Sequence, residues 1–229
     1  MSSCPDTDDT TETLSALVAR IHACRYCVGP EAKGRPLAHD PRPVLRVSSS
    51  AKLLIVGQAP GTRVHASGVP FTDPSGDRLR AWMGVDSATF YDANRIAILP
   101  MGFCFPGLDA KGGDLPPRRE CAPLWRDAVL AHLHSVQLLL MIGGYAQQWH
   151  LRRIAPELAR LPLTEVVARW REIQDLGKGV RYFPLPHPSW RNNAWVKRNP
   201  WFEAELIPVL QQEVATTLKS SVRPPPRSR

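Results

Sequence analysis

Cysteines, one proline-flanked histidine and one glycine-rich turn offer the most chemistry in this chain. Cys24 and Cys27 form a C-x2-C pair, a spacing that reaches a single metal ion or cluster. Cys104 and Cys121 do not repeat it, so a zinc ribbon, with C-x2-C in both halves, is not matched. Four soft thiolates at irregular spacing suit an iron–sulfur cluster as well as zinc. Four unrelated buried thiols are the bland alternative. Cys4, in an acidic and polar stretch, is a poor ligand candidate. His187 stands in Pro186-His187-Pro188-Ser189, where the flanking prolines stiffen the backbone and fix the imidazole's direction. Such a histidine can donate a hydrogen bond or exchange a proton, although an ordinary turn histidine would look the same. Leu53–Val56 run into Gly57-Gln58-Ala59-Pro60-Gly61. That reads as a buried strand ending in a tight loop whose glycines let backbone approach a ligand. Phe71 follows in Gly68-Val69-Pro70-Phe71 and could stack on a flat ligand or plug the core. From Ser189 through Trp190, Arg191, Asn192, Lys197 and Arg198, cations alternate with aromatics and amides. A surface for phosphates and bases needs that mixture; a solvated basic loop with core-packed tryptophans is the alternative.

Several elements must position these groups. The spacing of Leu14, Leu17, Val18 and Ile21 predicts a helix over 11–23, followed by an extended connector over 28–50. Strands are expected at 52–56, 95–100, 136–142 and 180–184. Helices are expected at 76–83, from Pro116-Pro117 to about Leu133, from Gly144 to about Leu151, and over 163–173. Residues 62–75 and 101–116 read as loops. Asn199 caps a last helix with Pro200 in its first turn. Phe202, Leu206, Val209 and Leu210 form its buried face, and Pro208 should kink it. Strands alternating with helices predict an α/β fold: a three-layer α/β/α sandwich around a mostly parallel four-stranded sheet. Ligands of such sheets bind at the carboxyl ends of the strands, where the Gly57–Gly61 turn would sit.

The 229 residues suffice for one such domain, expected over 11–217 between a disordered tail at 1–10 and a basic, proline-rich tail at 218–229. The balance of 29 Lys and Arg against 21 Asp and Glu leaves a net charge of +8, compatible with a polyanionic partner such as nucleic acid. The polar start and the lack of a long apolar run give no sign of a secretory leader or membrane helix, so a cytoplasmic location is expected. Structural disulfides are not expected there.

Together these residues resemble the uracil-DNA glycosylase superfamily, most closely its bacterial and archaeal iron–sulfur type. That type carries Gly-Glu-Ala-Pro-Gly where this chain has Gly57-Gln58-Ala59-Pro60-Gly61. Its Gly-x-Pro-Phe loop matches Gly68–Phe71, and its His-Pro-Ser matches His187-Pro188-Ser189. Its four cluster cysteines match Cys24, Cys27, Cys104 and Cys121 in order, with Ala122-Pro123 after the last. The likeness spans about residues 20 to 215 and rests on motif order and joint spacing.

The resemblance implies a monomeric DNA-repair enzyme that flips uracil out of DNA. It also implies a structural 4Fe-4S cluster on the four cysteines. Phe71 would stack on the base and His187 would hydrogen-bond its O2 as charge develops. Gly57, Gln58 and Ala59 would hold the base or the attacking water. Ser189, Trp190, Arg191, Lys197 and Arg198 would meet DNA, with the loop after His187 in the minor groove.

Gln58 replaces the family's carboxylate; an amide can orient water but cannot act as a base near neutral pH. The family also reads uracil with an Asn shortly before its third cysteine. Here Leu99-Pro100-Met101 stands in its place, so backbone or Asn192 is expected to read the base. A binder of uracil or abasic DNA without turnover, and a glycosylase for another damaged base, are the alternatives.

Overall fold

The computed structural model describes residues 12–30, 32 and 36–219. The tail expected at 1–10, the start of the first helix at Thr11, and residues 220–229 of the basic tail lie outside the described residues.

The strands are β1 (Leu53–Val56), β2 (Ile96–Ile98), β3 (Leu138–Ile142) and β4 (Arg181–Leu185). They form one parallel sheet in the order β2-β1-β3-β4, with Ile55 paired to Ile98 on one side and Leu140 on the other. In chain order the α-helices are α1 (Leu14–His22), α2 (Thr62–Ser67), α3 (Pro74–Met83), α4 (Ser87–Phe90), α5 (Asp127–Ala131), α6 (Gly144–Ile154), α7 (Leu163–Ala168), α8 (Trp170–Gln174), α9 (Asn193–Arg198) and α10 (Ile207–Lys219).

Strand alternation splits the core in two. Leu54, Val56, Ala97, Leu139 and Met141 pack with residues of α1, α5 and α6. Leu53, Ile55, Ile96, Ile98, Leu138 and Leu140 pack with α3, α4 and α10. Both faces are therefore covered, which is why β1, β2 and β3 are apolar and buried throughout. This is the expected α/β/α sandwich. Pro184 is tolerated in β4 because that strand lies at the sheet edge. At the opposite edge Arg46 forms an isolated antiparallel bridge to Ile98, covering part of β2's open side.

The strands fall within two residues of their expected bounds, but the helices depart further. The stretch 62–75, expected as loop, contains α2, closed by Gly68 in the left-handed conformation (φ 72°). Six residues are too few to display helical periodicity. Helix α3 starts at Pro74 rather than Gly76, with Asp73 as N-cap, the position proline favours. The helix expected from Pro117 starts only at Cys121 and runs as a wide π-turn over Ala122–Arg126 before α5. The helix expected over 163–173 breaks at Arg169 (ψ 22°) into α7 and α8. The break lets Val166 face one core layer and Trp170 the other.

Asn199 does not cap by its side chain. Its amide donates to Trp195 O at 2.8 Å. The last helix begins at Trp201 and passes through a π-turn over Phe202–Leu206 before α10. The π-turn ends two residues before Pro208, whose ring would otherwise clash with the carbonyl one turn earlier. The expected kink thus takes the form of a widened turn. Phe202, Leu206 and Leu210 are buried as expected. Residues 190–198, given no element from the sequence, form a short 3-10 turn, Trp190–Asn192, and then α9.

Candidate active site

β1 leads to β2 on one side, and β3 lies on its other side, so strand order reverses around β1. A crevice at the carboxyl ends is expected at such a point. An open cleft of about 540 Å³ lies there, partly shared with bulk solvent. Its lining includes Gly57, Gln58, Ala59, Pro60, Gly61, Phe71, Asp73, Pro100, Asp114 and His187. Four of the expected residues (Gly57, Gln58, Ala59 and Phe71) thus share the cleft with His187.

The turn after β1 is tied to the chain after β2. Met101 N donates to Gly57 O and Gly102 N to Gln58 O, both at 2.9 Å. The β2 end is held from beneath by Arg126, a fully buried guanidinium. It donates to Leu99 O at 2.8 Å and Pro100 O at 2.7 Å, and its other nitrogen lies 3.2 Å from His150 Nε2. Its carbon sits 4.6 Å from the Trp149 ring centroid. Burial lowers its pKa to about 9. That still leaves it charged at neutral pH.

Phe71 has φ 56°, a left-handed conformation that costs a bulky side chain energy. Two contacts impose it. Tyr91 Oη donates to Phe71 O at 3.0 Å. Gly76 leaves room for that same carbonyl, which would lie only 1.9 Å from a Cβ. The ring itself rests against the bare Cα of Gly57 and meets Phe90 edge-on at 5.9 Å.

His187 follows β4 and passes over the turn after β3, where Gly143 takes φ 80°. Burial lowers the imidazole's pKa below 6.5, partly opposed by the charges of Asp73 and Asp114. It is neutral at pH 7 and can donate one N–H. Asn192 does not line the cleft. Its Nδ2 donates to His187 O at 2.7 Å, so it holds the histidine's backbone from behind.

The cleft also holds two carboxylates that the sequence did not single out. Asp73 Oδ1 accepts from Ser75 Oγ at 2.6 Å. Asp114 stands at the rim, exposed as a residue but with its carboxyl partly desolvated by the cleft, which raises its pKa against the opposing pull of Arg191. Asp73 carried the signal of an N-cap before proline. Asp114, in a glycine-rich loop, carried none.

The basic segment lies outside the cleft lining. Ser189 O accepts from Arg78. Trp190 is 72% exposed, and the Arg191 guanidinium lies 5.7 Å from its ring centroid. Lys197 and Arg198 are exposed in the last turn of α9.

The four described cysteines are free of disulfides and lie in one region. Cys27 and Cys121 are hydrogen-bonded, and Cys104 senses the charges of both Cys27 and Cys24. The Cys121 bond, helped by Arg118, lowers the Cys27 thiol's pKa, while burial pushes Cys104 to about 12. Among the described residues no three His, Cys, Asp or Glu side chains converge on a single ion. A four-iron cluster spreads its thiolates more widely than one ion does. Four thiols without disulfides, three of them buried, are a donor set of the number and type that group takes. Cys4 lies outside the described residues.

The family model described as the uracil DNA glycosylase superfamily matches residues 46–211. The chain belongs to that superfamily. The match covers the β1 turn, Phe71, His187, Cys104 and Cys121, and begins after the Cys24–Cys27 pair. No helix among the described residues is long and apolar enough to cross a membrane.

Proposed function

We propose that this protein excises uracil from DNA by hydrolysing its N-glycosidic bond. The carrying observation is the meeting of the neutral, desolvated His187 and the Phe71 ring at the Gly57–Gly61 turn, in a chain of this superfamily. The base would be flipped into the cleft and stacked on Phe71. Cleavage of the C1′–N1 bond sends its electron pair to the base and leaves an oxocarbenium-like sugar. A hydrogen bond from His187 to O2 would stabilise the departing anion. Water then adds to C1′ and loses a proton, leaving an abasic site. Trp190, Arg191, Lys197 and Arg198 would meet the DNA beside the cleft, where basic and aromatic groups serve backbone and bases.

Cys24, Cys27, Cys104 and Cys121 would hold a 4Fe-4S cluster. Bound there, it would cross-link the chain just after α1 to the two ends of the 104–121 segment. Purified protein should then be brown, with absorption near ~400 nm. Colourless protein with four titratable thiols and full stability would count against the cluster.

The test of function uses a uracil-containing oligonucleotide, with alkali to reveal abasic sites. His187→Ala should lower excision by about 100-fold or more while binding of abasic DNA persists. Tight binding to abasic DNA with no strand break by wild-type protein would favour the non-catalytic reading. Pro100 lines the cleft where the family uses an amide to read uracil. That supports a second reading, a broader or different base range, which competition among oligonucleotides with defined lesions would resolve.

A further inference from the structure

Gln58 occupies the place of the family's carboxylate, and its amide is engaged elsewhere. Gln58 Nε2 donates to Leu115 O at 3.5 Å. Leu115 ends a compact hairpin in the loop that the sequence left without structure. Leu108 and Asp114 form an antiparallel bridge, and Leu115 N donates to Gly107 O at 2.9 Å. Asp109 Oδ1 accepts from the N–H groups of Lys111 and Gly113, both at 2.8 Å. Gly107 (φ 100°) and Gly112 (φ 73°) supply the left-handed positions.

This hairpin is pressed onto the β1 turn. Asp114 Oδ2 lies 3.4 Å from the point a Cβ on Gly61 would occupy. From the other side Arg191 donates to Gly112 O at 3.4 Å. The turn after β1, the loop after β2 and the segment after His187 therefore meet around one carboxylate. The other acid of the cleft, Asp73, is bonded to Ser75 and stands at the N-terminus of α3.

We infer that Asp114 supplies the catalytic carboxylate missing from the β1 turn, and that Gln58 is a positioning residue that holds Asp114's hairpin in place. The inference rests on the base-excision reading. The carboxylate would take a proton from the attacking water as the water oxygen bonds to C1′. The bond to N1 has by then given its electron pair to the base, and the proton passes from Asp114 to solvent. Arg191, and His187 where acid protonates it, favour ionised Asp114, whereas desolvation, Asp73 and Asp109 favour its protonated form. Activity should therefore rise with pH through an Asp114 titration above the ordinary carboxylate value.

The experiment is single-turnover excision of uracil between pH 4 and 8, with abasic-DNA affinity measured alongside. D114N should lower the plateau rate by about 100-fold or more and flatten the acid limb, with affinity unchanged. Q58A should lower the rate while keeping the acid limb, because the carboxylate remains. The double variant Q58E/D114N should recover part of the lost rate, with a new acid limb. D114N at wild-type rate and pH profile, or a rate loss matched by lost affinity, overturns the catalytic role. Q58A at wild-type rate overturns the positioning role. Wild-type protein that releases no base overturns this inference together with the functional reading beneath it.

Discussion

Phe71 shows how much of the cleft depends on residues outside its lining. Its left-handed backbone exists because Gly76 has no side chain and Tyr91 grips its carbonyl. Gly76→Ala would drive a Cβ into backbone, which cannot swing aside. The expected result is a loss of roughly 2–4 kcal/mol in urea unfolding, with weakened excision because the ring moves. Titration makes a second residue-level prediction with opposite signs for two neighbours. His187 has a folded pKa below its ordinary 6.5. Its contribution to stability is intact above 6.5 and is lost as pH falls through the window below. H187Q should therefore gain on wild type as the medium is acidified from that point. Asp114 has a folded pKa above 3.8. Its ionisation costs stability, fully so above the folded pKa and not at all below 3.8. D114N should be the more stable protein at neutral pH, and the difference should vanish in acid. Melting temperatures across pH check both. His187, Gln58 and Phe71 were legible in the sequence because motif and turn chemistry mark them. Asn192 was noticed, but its part in holding the His187 carbonyl depends on a local fold that no motif encodes. Asp114 was invisible, because only the closed hairpin brings it to the Gly61 turn.

Among the elements, the strands were the most legible. Each is a short apolar run between turn residues, and burial on both faces leaves no competing pattern. The short helices α2, α4 and α9 were missed because four to six residues do not complete a periodic stripe. The expected long helix over 117–133 was shortened, and one π-turn contains Pro123 while the other ends two residues before Pro208. A sequence announces the proline but not how the turn widens. The π-turn before α5 also places Arg126 under β2. Arg126→Leu would leave the Leu99 and Pro100 carbonyls without their charged donor. Hydrogen bonds to charged groups contribute about 1.5–3 kcal/mol each, so unfolding should become easier by about 3 kcal/mol. Excision should fall too, because Pro100 lines the cleft. Stability lost with excision unchanged would separate the strand end from the site.

At the scale of the whole molecule, the proposed cluster would link what the sheet does not. Cys24 and Cys27 follow α1, before the matched family span, while Cys104 and Cys121 bracket the loop that carries Asp114. With the proposed cluster bound, removing its iron with a chelator should lower the melting temperature and raise hydrogen exchange around 22–30 and 101–121, with β1 and β3 still protected. Exchange spread evenly over the chain would argue against a local clamp. The four cysteines became a set only through the family resemblance, and their neighbourhood in space was not legible at all, because residues 24–27 and the 101–121 segment are far apart in sequence.

The cleft draws its walls from the chain after β1, the chain after β2 and the chain after β4, with Gly143 after β3 beneath His187. These segments are far apart in sequence, and no fragment shorter than 57–187 contains all of them. The strand that delivers His187 is the last one made, so every nascent or truncated form short of residue 187 lacks a complete site. For a member of a DNA-glycosylase superfamily this makes the topology an assembly checkpoint: the cleft, and with it the proposed excision, is complete only once β4 has joined the sheet.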